Sequence, residues 1–255
     1  MATTSKVGDE KVRMEQPLLK VRQRFKESNV LFQSESETAI QTGINAVRRH
    51  RLELETYIRL HPFFIEALQP ISVETSAPLI VKIMAEAGSK ATVGPMAAVA
   101  GALADLAVQA MREAGASSAI VEDGGEVSAI TEEPFVIALY AGQSAMGSNL
   151  GFKITPSDCP LGIATSSATV SHALSFGEAD AVTVFAGTSA LADAAATAVC
   201  NAVESRDVER SINEGLEAAR ALSFVRGAFV VRGDRVGSVG WVPQFVRLET
   251  KQTSA

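Results

Sequence analysis

Helix-like and strand-like segments alternate in groups along the chain, which predicts an α+β fold of helices layered on largely antiparallel sheets. Three observations carry this prediction. Long stretches such as 36–62 repeat apolar residues at helical spacing. Short apolar runs are joined by tight glycine turns, as in SSAIVEDGGEV (117–127), and such turns join antiparallel neighbours. The 255 residues, 47% of them hydrophobic, are enough for a large buried core.

The elements follow in order. Residues 1–20 are polar and are expected to be a flexible N-terminus before a single domain over 21–255. RFKESNVLFQSE (24–35) reads as an entry strand. The stretch 36–62 opens on Ser36, carries Ile40, Ile44, Val47, Leu52, Leu54 and Ile58 at roughly helical spacing, and ends near Pro62. PLIVKIMAEAGSKA (78–91) reads as a helix closed by Gly88. A third helix starts after Gly94-Pro95 and runs to Gly115, with proline at its first turn and glycine at its end. PFVIALYAG (134–142), LGFKITP (150–156) and ADAVTVFAG (179–187) read as strands. LGIATSSATVSHALSFG (161–177) reads as a strand leading into a Ser/Thr-rich loop. TSALADAAATAVCNAVES (188–205) is a helix capped by Thr188 or Ser189. SINEGLEAARAL (211–222) is the last helix, and 224–245 holds a hairpin around Gly233-Asp234.

Composition narrows the function. The net charge of −6 argues against nucleic acid as a partner, because phosphate neutralisation needs clustered cations. The cluster Arg48-Arg49-His50-Arg51 is followed closely by acids and reads as a solvated helix face. Two cysteines far apart, Cys159 and Cys200, fit a reducing compartment. With no apolar run of membrane-spanning length and no signal-peptide core, the expectation is a cytoplasmic protein with no membrane partner. The aliphatic helix 78–91 and the C-terminal strands offer surface for a homodimer.

Four stretches carry candidate chemistry. VGPMAAVAGALADLA (93–107) is built of small residues around one carboxylate, Asp105. Its bare backbone suits either close approach to a ligand or tight helix–sheet packing. In the helix 188–205, Asp193 is the only charge between Asp180 and Glu204, and Thr197 lies one turn on. A buried carboxylate must be paired, hydrogen-bonded or metal-bound, and Asp plus Thr oxygens suit Mg²⁺; otherwise Asp193 meets solvent or caps a neighbouring helix. EDGGEV (122–127) is either a ligand-approaching turn or an ordinary tight hairpin. GIATSSATVSH (162–172) offers amides, hydroxyls and His172, which is either a base or structural. Neither GxSxG, a Walker pattern nor an intact GxGxxG is present.

Taken in order, these stretches resemble the ApbE-like flavin transferases. Gly101-Ala102-Leu103-Ala104-Asp105 is similar to that family's Gly-x-x-x-Asp helix start. Gly124-Gly125-Glu126-Val127 resembles its Gly-Gly-Asp-Ile turn, and Gly162-Ile163-Ala164-Thr165-Ser166 its Ile-Ser/Ala-Thr-Ser strand end. SALADAAATAV resembles its Ala-Asp-Ala-x-Ala-Thr-Ala helix, and His172 falls where the family has a His. The resemblance covers roughly residues 90–205, and the whole chain resembles a prokaryotic branch of that superfamily still more closely.

The resemblance implies a T-fold-related domain that takes FAD, with Mg²⁺ at the pyrophosphate and FMN passed to a protein Ser or Thr. It implies Asp193, Thr197 and a main-chain carbonyl near Val99 as metal ligands and His172 as base or positioner. Gly94, Gly101, Asp105, Gly124, Gly125, Glu126, Thr165 and Ser166 would line the nucleotide site, with Asp105 holding the loop. Two departures matter: Ala100 replaces the family's Lys, and LSFGEAD replaces its Asp-Pro-x-Thr-Gly segment. They leave open a protein that binds flavin or nucleotide without transfer. The branch also implies, loosely, an accessory role in sulfide assimilation and homocysteine formation, for which Cys159 is the better sulfur carrier. The acceptor protein is not specified by the sequence.

Overall fold

The computed structural model describes residues 18–26, 28–138, 150–167 and 177–248. The chain runs β1 (Leu19–Phe25), β2 (Ser28–Ser34), α1 (Glu37–Leu60), the short α2 (Phe63–Glu66) and α3 (Leu79–Ala91). A 3-10 turn (Pro95–Ala98) leads into α4 (Val99–Glu113), β3 (Ala119–Asp123) and β4 (Glu126–Ile130). After β5 (Phe135–Ala138) and β6 (Leu150–Ile154) come β7 (Leu161–Ser166), β8 (Ala181–Ala186), α5 (Ser189–Asn201) and α6 (Val208–Ala221). The end is β9 (Val225–Arg232), β10 (Arg235–Gly240) and β11 (Gln244–Arg247).

Among the described residues, eight strands form one antiparallel sheet in the order β1-β2-β3-β4-β7-β8-β9-β10. Three more form a small antiparallel sheet, β11-β6-β5. The large sheet is two consecutive units of the same plan. In each, two paired strands lead through helices to two more paired strands: β1-β2, α1 to α4, β3-β4, then β7-β8, α5-α6, β9-β10. The units join where β4 pairs β7, with Val127 opposite Ile163.

Strand alternation divides the core into layers. In β8, Val182 and Val184 face α5 and α6, while Ala181 and Phe185 face the small sheet, where Phe152 meets Phe185 edge-on at 5.1 Å. The helices α1, α3, α4 and α5 pack over the first unit around Phe32, Met84 and Met111, all fully buried. Each such side chain contributes about 1.5–3 kcal/mol through burial. No single helix among the described residues is long and apolar enough to cross a membrane.

Helix starts follow the sequence signals. Ser36 caps α1 by accepting from Ala39 N at 3.2 Å, Thr188 caps α5, and Asp207 caps α6. Two elements differ from expectation. The entry strand is a hairpin, with β1 added before β2. The helix at 78–91 does not close at Gly88 but runs to Ala91, where Thr92 takes the left-handed conformation at φ 59° and ends it.

Candidate functional site

The site is assembled where α4 and α5 begin. No side chain of its own flank caps α4, because Ala98 stands at that position. Asp193, in the second turn of α5, supplies an acceptor instead: Gly101 N donates to its Oδ2 at 3.0 Å. Asp105 of α4 returns the favour to α5. It accepts from Ser189 N and Ala190 N, both at 2.9 Å, and from Ser128 Oγ at 2.7 Å. Negative charge at a helix N-terminus is favourable, so each pairing stabilises the helix it caps.

The bare backbone of 94–101 serves this packing. A Cβ on Gly101 would lie 2.3 Å from the Ser189 carbonyl oxygen, and one on Gly94 would lie 1.7 Å from that of Ala67. The close approach at both glycines is therefore by the chain itself. Between them, Val99 and Ala100 face a cavity of about 610 Å³, bounded also by Met96, Leu103 and Asp123.

Four carboxylates gather around this point. Burial pushes the Glu126 carboxyl well above the usual range, and the charges of Asp193 and Asp123 push it further. Burial likewise raises Asp193, up to about 7, against the Gly101 hydrogen bond, and Asp123 and Asp105 add to the rise. Asp105 is raised by burial despite the hydrogen bonds it accepts. Asp123 is buried at the end of β3. Thr197 follows Asp193 by one turn and is half-buried. The hydroxyl of Ser189 is buried with no hydrogen-bond partner among the described residues.

The expected metal donors, the Asp193 carboxylate, the Thr197 hydroxyl and the main chain at Val99, are all hard oxygens, a chemistry that would suit Mg²⁺. Among the described residues, no group of three or more His, Cys, Asp or Glu side chains is arranged to hold a metal ion. An ion here would therefore rest on Asp193 and neutral oxygens. The excess of mutually repelling carboxylates fits a cation.

Other expected residues lie across the sheet. Gly124 and Gly125, at φ 74° and 136°, turn β3 into β4. With Thr165, they line a second cavity of about 780 Å³ between the two sheets, walled by Phe135 and Phe152. Thr165 Oγ1 meets Thr183 Oγ1 at 3.0 Å, and Ser166, one residue on, is buried. The Gly-Gly turn thus stands between two cavities, with Asp123 on one and Gly124 on the other. His172 lies outside the described residues. Cys200 is packed in the core of α5, and Cys159 is half-buried with its thiol pushed up by burial, which disfavours the reactive thiolate.

Sequence reading passed over Asp123, Lys26 and Arg59 on the smaller cavity, and took Arg51, which also lines it, for part of a solvated helix face. Asp123 was visible only as one acid of EDGGE. Arg51 and Arg59 lie two turns apart on α1. In the cluster Arg48-Arg49-His50-Arg51, expected to be a solvated helix face, His50 is instead buried and the Arg51 side chain is only 14% exposed.

A family model described as AbpE bacteria matches residues 12–223. A UPF0280 protein of Methanocaldococcus jannaschii is 43% identical over 231 residues, which is 90% of this chain and 93% of that protein. Another, of Methanococcoides burtonii, is 39% identical over 226 residues, or 89% and 94% of the two chains. Among solved structures, the flavin transferase ApbE from Vibrio cholerae superposes with a TM-score of 0.60 at 14% identity, covering 87% of this chain and 96% of that one. The Pseudomonas stutzeri flavinyl transferase ApbE, in its apo form, gives 0.58 at 15% identity, covering 87% and 94%. At such identities the likeness is one of fold. The family match settles the assignment: this chain belongs to the AbpE bacteria family, and its fold is that of the ApbE flavin transferases.

Proposed function

We propose that this chain binds FAD or a related nucleotide together with Mg²⁺ in the cavity beside α4, with flavin-transferase-type chemistry as its activity. The observation that carries this reading is the gathering of carboxylates at Asp193, where Asp123 and Asp105 raise the proton affinity of Asp193, and Asp193 and Asp123 that of Glu126, beside a cavity that Asp123 helps to line. Asp193, Thr197 and the Val99 carbonyl would hold the ion, and a bound Mg²⁺ would offset the charge of a pyrophosphate. Asp105 holds the start of α5, and with it Asp193, in place. Met96 and Leu103 exclude water from one wall. His172 is the residue proposed to position or take the proton of an acceptor hydroxyl on a partner protein.

The test is flavin fluorescence and thermal shift with FAD, with and without Mg²⁺, on wild type and Asp193→Ala. Mg²⁺-dependent FAD binding that disappears in the variant supports the reading. Binding indifferent to both Mg²⁺ and Asp193 overturns it. One observation favours a second reading, in which the nucleotide is bound but not cleaved: Ala100 faces the cavity where the resemblance expects a Lys. Tight FAD binding with no FMN passed to any Ser/Thr acceptor would select it.

A further inference from the structure

The two edges of the large sheet are built differently. On β1, Lys20, Arg22 and Arg24 share one face and are all exposed. Charges on an edge strand keep a second strand from pairing with it, and two copies of β1 side by side would repel. At the opposite edge, β10 carries Val236 and Ser238 on the face toward the small sheet, opposite Val231 and Phe229 of β9, and Val236 is 44% exposed. β10 pairs β9 in unbroken register from Arg235 to Gly240, with neither proline nor bulge, and no strand among the described residues pairs its far side.

The hairpin decides which backbone groups of β10 are used. Its turn, Gly233-Asp234, sets Arg235 opposite Arg232 as a hydrogen-bonded pair. Arg235, Gly237 and Val239 therefore bond β9, an alternation that Trp241 N continues by donating to the Arg226 carbonyl at 2.7 Å. Val236 and Ser238 turn their N–H and C=O to the open edge. On one face the edge is flanked by Phe245, 41% exposed, whose ring lies 5.2 Å from that of Phe229. On the other face α6 packs against β9 and β10. A Cβ on Gly237 would lie 2.6 Å from Ile212 Cγ2 and 2.9 Å from Leu216 Cδ1, so the middle of α6 passes over Gly237.

We propose that β10 pairs antiparallel with β10 of a second copy of this chain, about a two-fold axis at Gly237, so that one sheet runs through a homodimer. The N–H and C=O of Val236 in one copy then meet those of Ser238 in the other, and the axis repeats the pair. Strands about 4.8 Å apart set the two α6 helices, each lying over β9 and β10, about 10 Å apart, which is a helix packing distance. The same axis makes the helices antiparallel about their middles and brings Glu209 of one copy opposite Arg220 of the other. Glu209, Asn213 and Arg220 lie on one exposed face of α6. That face borders β10, since Arg235 Nη1 lies 3.3 Å from Glu209 Oε1. Charges therefore match across the axis at β10, whereas β1 against β1 would oppose cations. The proposal is independent of what the cavity beside α4 binds.

The experiment is sedimentation equilibrium of the full chain over about a hundred-fold range of concentration, with far-UV circular dichroism to check that each variant keeps its secondary structure. Wild type is expected to be a dimer. Ser238→Pro removes an N–H that faces the open edge and leaves the β9–β10 ladder its donors, so the fold stays while the dimer dissociation constant rises about ten-fold or more. Val236→Lys, on an exposed side chain, gives the same result by the device β1 uses, and it serves where proline unsettles the strand. Arg220→Glu weakens the dimer by setting two acids against each other, and the double variant Glu209→Arg/Arg220→Glu recovers part of the loss. Loss of the pair that Arg220 makes with Glu217 of its own helix would not be reversed by a change at Glu209. A wild type that is monomeric throughout, a dimer that tolerates both β10 variants, or a double variant weaker than Arg220→Glu overturns the proposal.

Discussion

Asp105 and Asp193 each cap the helix that carries the other. Asp105, on α4, accepts from Ser189 N and Ala190 N at the start of α5, and Asp193, on α5, accepts from Gly101 N near the start of α4. The two helices come from the two repeated units of the sheet. The exchange therefore fixes one unit against the other and sets Asp193 beside the Val99–Gly101 backbone.

Asp105→Ala tests this frame. It leaves the N–H groups of Ser189 and Ala190 and the hydroxyl of Ser128 without their acceptor. Buried donors left unmade cost about 1–3 kcal/mol each, so a loss at the upper end of that range is expected by urea denaturation. Mg²⁺-dependent binding should weaken as well, although Asp105 is not proposed as a ligand. Wild-type stability in the variant would show that α5 is held by other contacts.

Gly101→Ala tests the close contact between the same helices. The added methyl would sit 2.3 Å from the Ser189 carbonyl oxygen and 2.7 Å from Ala190 N, and both are backbone atoms that cannot swing aside. Overpacking of this kind costs about 1–3 kcal/mol, with a lowered melting temperature as the readout. An unchanged melting temperature would mean that α4 and α5 can separate freely.

Some of this was legible in the sequence, for physical reasons. Asp193 stood out because a lone charge on an alanine-rich helix needs a partner, and the partner is the exposed start of α4. The β3–β4 turn was marked by Gly124-Gly125, which tolerate positive φ. The β1–β2 turn was not, because Lys26 takes the left-handed conformation without being glycine. Gly88 looked like a stop, yet its missing side chain makes room for the Val93 carbonyl oxygen, 2.8 Å from where a Cβ would be, and Thr92 ends the helix. The two-unit repeat left no trace because the halves share strand order rather than residues. The bare stretch at 94–101 drew attention to ligand approach, while its glycines accommodate Ala67 and Ser189. The pairing of Lys26 with Glu55 could not be read either, since it arises only where the β1–β2 hairpin packs on α1.

Acid stability should depend on Glu35. Burial raises its carboxyl, but hydrogen bonds from its own backbone and from Ser117 and Ser118 outweigh this and hold it below the usual range. A depressed carboxylate stabilises the fold above its unfolded pKa and loses that contribution as pH falls through the folded value. Denaturation of wild type and Glu35→Gln between about pH 3 and pH 7 should show a gap that is full at the neutral end and closes in acid. A gap constant with pH would mean that the Ser117 and Ser118 contacts matter only as packing.

Ala100→Lys restores the residue type that the resemblance expects at the edge of the site. Ala100 faces the cavity, and its backbone N–H is one of the groups that favour the charged form of Asp193. A lysine grown from this position places an ammonium near Asp193, whose proton affinity is raised by Asp123 and Asp105, and near Glu126, raised by Asp193 and Asp123. Opposite charge at short range stabilises ionised carboxylates, so the metal-free protein is expected to melt higher in EDTA. The same ammonium competes with a divalent ion, so the further gain on adding Mg²⁺ should shrink. If the variant melts higher in EDTA and keeps the full Mg²⁺ gain, the ion is bound away from the carboxylates. If it melts no higher, the cluster is already neutralised by protons, and charge repulsion is not what draws a cation to the site.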